Sequence, residues 1–341
     1  MTTQASESRA EPSAVAAVSS DSHHDAEHRR RVRSGIILGL ISAVGYSGAN
    51  LALRDVAKPN DLGWAIWVTA NKAWPAAIVG WTLVGLRGFR GLPALPPKSA
   101  LMPLILMGLL MQYGGNLAFQ YSLSVSGLAI AVPLCFSTLI ATGAWLGRAM
   151  LGDPLTPRTL ASVGILLVAI VFLTDGAEHA TAALHGEASA SAIALGVITA
   201  CLAGCSYGSS GVMIRRYVTG NLSVPTTLVV LSTTGVLVMG THSLFSPGVD
   251  RMAATTAAEW TSIIAAGLLN AIAFFAVAEA LKRMPVTFVN VLNTSQNAMC
   301  AAAGVLLFAE PLTTPLLLGC SLTMIGLLIV DSGRKQAPRR E

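Results

Sequence analysis

Apolar residues fall into ten runs along the chain, each about as long as a membrane-spanning helix. The runs lie near 35–54, 62–86, 100–122, 127–147, 157–174, 191–213, 222–244, 258–281, 286–308 and 313–331. A helix of about 20 apolar residues crosses the hydrocarbon core of a bilayer. Only a few residues separate several of the runs, so neighbouring helices must be antiparallel. The pattern predicts an all-α integral membrane protein with ten transmembrane helices.

The two halves of the chain share short motifs at the same separation. Residues 39–43 (Gly-Leu-Ile-Ser-Ala) resemble 196–200 (Gly-Val-Ile-Thr-Ala), and 152–156 (Gly-Asp-Pro-Leu-Thr) resemble 309–313 (Ala-Glu-Pro-Leu-Thr). Internal repeats in a bundle of apolar helices are typical of secondary transporters. We therefore predict two five-helix repeats, 34–174 and 191–332. Five is an odd number, so the second repeat starts on the opposite face of the membrane and is inverted relative to the first.

The polar segments predict the tails, the linker and the orientation. Residues 1–33 and 333–341 lack apolar periodicity, so we expect a disordered N-terminal tail and a short C-terminal tail. Most Lys and Arg residues lie at the tails and at the loops on one side of the predicted bundle. Cytoplasmic loops carry this excess, so both termini are predicted to be cytoplasmic, in an inner or plasma membrane. The linker 175–190 then lies outside.

Composition supports a membrane protein and excludes several other classes. Hydrophobic residues make up 53% of the chain and charged residues 11%, and the mean hydropathy is +0.63. Soluble domains carry about 25% charged residues. The net charge of +5 comes from loop residues and does not indicate nucleic acid as a partner. We find no phosphate-binding loop, dinucleotide fingerprint or zinc-ligand pair, and we expect no cofactor and no metal. Whether the chain is a monomer or a homodimer stays open.

Polar stripes on the predicted helices mark candidate cavity residues. A lipid-facing surface has no reason to be polar, so such stripes face either a cavity or another helix. For a single residue the two interpretations are equally good, whereas the amide cluster of the ninth helix favours a cavity. The candidate substrate-binding residues are Tyr46, Asn50, Lys72, Gln112, Asn116, Tyr207, Asn270, Asn290, Asn293 and Asn297.

Two charged residues inside the predicted spans carry separate hypotheses. Lys72 is the one charge near the middle of any span. It either anchors an anionic or zwitterionic substrate or pairs with backbone carbonyls or a neighbouring helix. Glu279 is the one carboxylate within a span and the candidate for binding a coupling ion, although an ion pair with Lys282 or Arg283 is favoured. Proton coupling, exchange and facilitated diffusion therefore all stay open.

The motifs lead to a known family. With its two acidic-Pro-Leu-Thr turns, at 153–156 and 310–313, each leading into an apolar helix, the chain resembles the ten-helix EamA-type carriers of the drug/metabolite transporter superfamily. The first copy departs by having Asp153 where Glu is usual. The resemblance covers roughly residues 34–332. It implies a carrier rather than an enzyme, and one that exports a small polar or amphipathic metabolite.

Alternatives of two kinds accompany this hypothesis. An importer of the same fold would share every motif. Residues 45–48 and 208–211 also match the short Gly-x-Ser-Gly signature of rhomboid-type intramembrane proteases. A serine nucleophile needs a base within reach, and the one histidine associated with a span is His242. Such strings arise by accident in a chain rich in Gly and Ser, so the carrier is favoured over the protease.

Overall fold

The computed structural model describes residues 12–59, 61–153, 156–185, 190–246 and 249–329, and within these ranges it contains helices and turns but no strand. The α-helices are α1 (Pro12–Asp55), α2 (Leu62–Lys72), α3 (Trp74–Phe89), α4 (Lys98–Leu110), α5 (Ala118–Ser126), α6 (Leu128–Leu146), α7 (Pro157–His185), α8 (Ala190–Thr219), α9 (Val224–Phe245), α10 (Val249–Ala253), α11 (Ala257–Arg283), α12 (Val286–Asn293), α13 (Ser295–Phe308) and α14 (Thr314–Ile329).

Each of the ten predicted apolar runs is mostly helical where the structure describes it, with short breaks such as Ala73 and Thr294. Two helices extend further than their runs. Helix α1 begins at Pro12, inside the predicted tail, and α7 continues to His185, inside the predicted linker. Each extension contains four Ala residues, and Ala has the highest helix propensity, which allows a helix to propagate past its apolar part. Residues 1–11, 186–189 and 330–341 lie outside the described ranges.

Several of the membrane-length helices are interrupted. The second run forms α2 and α3, which meet at Ala73 two residues before Pro75, and the ninth forms α12 and α13, which meet at Thr294. Residues Met111–Leu117 form a π-helical segment between α4 and α5. Proline removes a backbone donor, and π-helical turns are rare and frequently occur at functional sites. These interruptions lie in the middle of the bundle.

The helices have the length and the surface of membrane-spanning segments. Seven are long and apolar enough to cross a membrane among the described residues, and two shorter apolar helices lie at Leu160–Leu173 and Thr314–Gly326. Large apolar side chains such as Trp145, Val171 and Phe245 are exposed on the outside of the bundle. Backbone groups inside a bilayer must be satisfied internally, which helices achieve. The chain is therefore a multi-pass membrane protein.

The main helix contacts join the two halves of the chain. Helix α1 packs along α11, α6 along α8, and α7 along α14, while α2, α3 and α4 all pack against α9. Glycines allow some of these helices to approach closely. A Cβ at Gly204 of α8, for example, would overlap the backbone of Cys135 in α6. The core therefore lies between the halves rather than within either one.

A buried carboxylate from the second acidic-Pro-Leu-Thr turn holds the start of α6. Glu310 Oε1 accepts a hydrogen bond from the Leu128 amide at 2.7 Å and from Arg54 Nε at 2.8 Å, and its Oε2 accepts from the Ala129 amide at 2.7 Å. Gly127 precedes the helix with φ of +76° and leaves room for this carboxylate. Free amides at a helix N-terminus favour a negative charge. In the first copy of the motif, Pro154 and Leu155 lie outside the described residues.

Candidate functional site

A cavity of about 160 Å³ lies in the centre of the bundle, between the two halves of the chain. A cavity of ~150 Å³ is large enough to admit a benzene-sized molecule. Aromatic and aliphatic side chains, including Phe119, Phe136 and Phe274, form much of its wall. Polar side chains from α1, α2, α8, α11, α12 and the π-helical segment reach the same space. The combination of an apolar wall and a few polar groups is typical of small-molecule sites.

One group of polar lining residues is already hydrogen-bonded to protein. Tyr207 Oη donates to Asn116 Oδ1 at 3.0 Å, and Asn116 Nδ2 donates to Gln112 Oε1 at 2.9 Å. Gln112 and Asn116 belong to the π-helical segment, where Gly114 and Gly115 let α8 approach closely enough for this contact. These three side chains form a wall that joins the two halves.

A second bonded group surrounds Asn293, the last residue of α12. Its Oδ1 accepts from Ser42 Oγ and from Gln296 Nε2, each at 3.0 Å, and its Nδ2 donates to the Val289 carbonyl at 3.0 Å. Asn50 makes one weak contact, from Nδ2 to the Cys300 sulfur at 3.9 Å. The amide of Asn293 therefore has its partners within the protein and connects α1 to α12.

Four other lining side chains have no hydrogen bond or ion pair with any described residue. They are Tyr46, Lys72, Asn270 and Asn290, and each lines the cavity. Lys72 is 3% exposed. Buried polar groups in folded proteins almost always find a partner, so groups without one deserve an explanation. These four are the lining residues best placed to bind a ligand.

Comparison with known proteins adds the family. Residues 194–331 match the sequence model of the EamA-like transporter family. The matched residues make up most of the second half of the chain, the EamA-like half. The match confirms the resemblance to the drug/metabolite transporter superfamily. No curated protein matches the chain.

The fold of most of the chain is also known from solved structures. One crystal structure, described only as that of a protein, aligns with a TM-score of 0.60 over 87% of this chain and 97% of its own. The two sequences are 18% identical, so the likeness concerns the fold alone. It extends the comparison from the EamA-like half to the first half, which includes Tyr46 and Lys72.

Nine of the ten predicted binding residues line the cavity between the first half and the EamA-like half. Asn297 is the exception: it is 1% exposed, does not line the cavity, and neither of its amide atoms has a hydrogen-bond partner among the described residues. Gln296, the residue before Asn297 on α13, lines the cavity instead. A role in substrate binding stays a prediction for all ten residues.

Glu279, the candidate for a coupling ion, lies away from the cavity. Its carboxylate pairs with the Arg283 guanidinium one turn later on α11, and the same guanidinium also donates to the Glu279 carbonyl at 2.6 Å. The ion pair favoured by the sequence is thus the arrangement in the structure. The polar stripes in the sequence did not identify several other residues that line the cavity, such as Ser232 and Gly211.

Proposed function

We propose that the chain is a secondary carrier that moves a small polar or amphipathic metabolite across a cell membrane by alternating access. The observation that carries the proposal is the central cavity between the two halves, lined by polar side chains of which four have no protein partner in the described structure. The match of residues 194–331 to the EamA-like transporter family supports transport. Export, rather than import, follows from the family resemblance, and the distribution of Lys and Arg supports cytoplasmic termini.

The helix contacts support ten spans arranged as an inverted repeat. If α1 and α8 start the two repeats, the packing of α1 on α11 has its counterpart in the packing of α8 on the α4 to α5 segment, and both contacts are present. The contact between α6 and α8 likewise has its counterpart between α1 and the α12 to α13 segment. Such reciprocity is expected of two modules related by a pseudo-two-fold axis, which can exchange conformations to open either side.

The protease alternative has less support. Ser47 Oγ donates to the Ala43 carbonyl at 2.8 Å, and Ser210 Oγ donates to the Ser206 carbonyl at 2.8 Å. The ring of His242 contacts the Tyr113 hydroxyl instead, at 3.4 Å. Neither serine therefore has the neighbouring base that would activate it as a nucleophile.

Filling the cavity tests the carrier proposal without knowledge of the substrate. Gly211 lines the cavity, and a Cβ added there would meet no atom within 4 Å. Gly211→Leu should therefore occupy substrate space without disturbing the helix, since Leu is a good helix former. Gly240 of α9 also has free space around an added Cβ but does not line the cavity, so Gly240→Leu is the matched control.

The measurement is untargeted metabolite profiling of medium and cytoplasm from cells that produce equal membrane amounts of each variant. We expect at least one compound to accumulate in the medium with the unchanged chain and with Gly240→Leu, and to stay inside with Gly211→Leu and with an empty vector. Accumulation inside instead would establish import. If no compound distinguished the unchanged chain from Gly211→Leu, the carrier proposal would be refuted.

A further inference from the structure

The cavity contains one charge, and no residue of the described protein neutralises it. Lys72 is the last residue of α2, is 3% exposed, and makes no hydrogen bond or ion pair with a described residue. The negative end of the α2 dipole offsets part of this charge. A buried ammonium without a partner is nevertheless unfavourable, so such a residue is a functional candidate.

No other lining residue is charged. The cavity wall contains no Asp, Glu, His or Arg. The ion pairs seen in the described residues join other side chains: Glu310 pairs with Arg54, Glu259 with Lys58, Asp61 with Arg251, and Glu279 with Arg283. When Lys72 is protonated, an empty cavity therefore carries one net positive charge, which a ligand of opposite charge would balance.

Neutral groups that can donate and accept hydrogen bonds come from helices that pack closely beside Lys72. A Cβ at Gly267 of α11 would lie 3.0 Å from the Lys72 carbonyl, and Asn270 follows Gly267 by about one helical turn. A Cβ at Gly45 of α1 would lie 3.1 Å from Ala273 Cβ, so Tyr46 is also adjacent to α11. Tyr46 and Asn270 have no described protein partner and both line the cavity.

We propose that the cavity selects small organic monoanions, in which one carboxylate binds the Lys72 ammonium and an apolar body packs against the aromatic wall. This inference rests on the proposed carrier function and names its substrate class. A monoanion neutralises the cavity. A dianion would leave a net negative charge, whereas a cation would be repelled, and the ammonium of an amino acid would have no carboxylate to pair with. Tyr46 and Asn270 then supply hydrogen bonds to the second carboxylate oxygen or to polar groups on the body.

The first arm of the test extends the metabolite profiling to Lys72→Met, Lys72→Arg and Lys282→Met. Lys282 is exposed and lies outside the cavity, so its variant is the matched control. We expect every compound whose transport is lost in Gly211→Leu to be a net monoanion near neutral pH. Its export should fall by about tenfold or more in Lys72→Met, as expected for the loss of a charge-assisted contact. It should persist in Lys72→Arg, which keeps the charge, and be unchanged in Lys282→Met.

The second arm uses only the purified, unsubstituted chain in detergent, so its result does not depend on whether a variant folds. The apparent unfolding midpoint is compared in benzoate, phenylacetate, 3-methylbutyrate, phthalate, phenylalanine and benzylammonium at equal concentration and ionic strength. A ligand that binds only the folded chain raises this midpoint. We expect a rise with at least one of the three monocarboxylates and none with phthalate, phenylalanine or benzylammonium.

The outcomes separate the two proposals. If the cavity-dependent compounds are cations, zwitterions or neutral molecules, the carrier stands and the anion proposal is overturned. Unchanged export of a monoanion by Lys72→Met, or stabilisation by benzylammonium but by no monocarboxylate, would overturn it as well. If the transport of no compound is lost in Gly211→Leu, the carrier proposal itself fails.

Discussion

The buried carboxylate of Glu310 gives the sharpest prediction about stability. Glu310→Gln keeps the size of the side chain but replaces one acceptor oxygen with a donor. In the structure the two oxygens accept from the Leu128 and Ala129 amides and from Arg54, and the residue is 3% exposed. At least one of these donors would lose its acceptor, and Arg54 would face a neutral group.

The expected loss of stability follows from the hydrogen bonds and the ion pair that Glu310→Gln removes. Each hydrogen bond to a charged group contributes roughly 1.5–3 kcal/mol, but three bonds to one carboxylate are not additive. Removing one partner of a buried ion pair costs roughly 3–5 kcal/mol, because the other charge stays buried. At roughly 2 °C per kcal/mol, the lower end of the range for proteins of 150–250 residues, we expect the apparent unfolding midpoint to fall by about 6–10 °C.

The assay is thermal unfolding of the purified chain in detergent, read by a thiol-reactive dye. Cys135 and Cys300 are free and buried, so they become reactive when the bundle opens. All variants are heated at one rate, because apparent midpoints depend on scan rate when unfolding is irreversible. Glu27→Gln makes the same chemical change at an exposed position of α1 and should shift the midpoint little.

A double-mutant cycle with Arg54→Met isolates the ion pair. If the structure is right, Arg54→Met and Glu310→Gln together should destabilise the chain by less than the sum of their separate effects, because each removes the same contact. A midpoint for Glu310→Gln equal to that of Glu27→Gln would refute the assignment of Glu310 as the cap of α6.

Three further predictions follow from the same structure. Gly127→Ala should lower the unfolding midpoint by several degrees, since it places a side chain at φ +76° with its Cβ 2.6 Å from a carboxylate oxygen of Glu310. Glu279→Gln should leave transport of the profiled compound within about twofold of the unchanged chain at every pH, because its ion pair with Arg283 lies outside the cavity; a lost pH dependence would contradict this. In liposomes, the rate of counterflow should exceed the rate of net uptake for the unchanged chain. Net uptake requires the empty cavity to change conformation, and a protonated Lys72 then has no counter-charge. Equal rates would contradict this prediction.

Periodicity predicted the helices well because membrane helices obey a simple rule. A run of apolar residues of the right length must form a helix in a bilayer, where no water can satisfy the backbone. The sequence also placed nine of ten binding candidates on the cavity. It did not place Asn297, which is buried away from the cavity while its neighbour Gln296 lines it.

Periodicity could not divide the polar residues into those that hold the bundle together and those that are free. Asn293 and Asn290 lie on the same predicted stripe, yet the side chain of the first makes three hydrogen bonds and that of the second has no described partner. Two partners of Asn293 are local, but the third, Ser42, is more than 200 residues away in sequence. Such pairings arise from the packing of one half on the other and leave no trace in local spacing.

Bonded and unbonded polar residues occupy corresponding places in the cavity. Both interrupted helices end on a polar residue that lines the cavity: α2 ends at Lys72, and α12 ends at Asn293. Asn293 is bonded and fixes its helix end to α1, whereas Lys72 is unbonded and leaves its charge available. A bonded polar group stabilises one arrangement, while an unbonded one lowers stability until a ligand binds. The proposed selection of substrate by charge therefore rests on two features of the cavity: a wall fixed by hydrogen bonds and a lysine without a partner among the described residues.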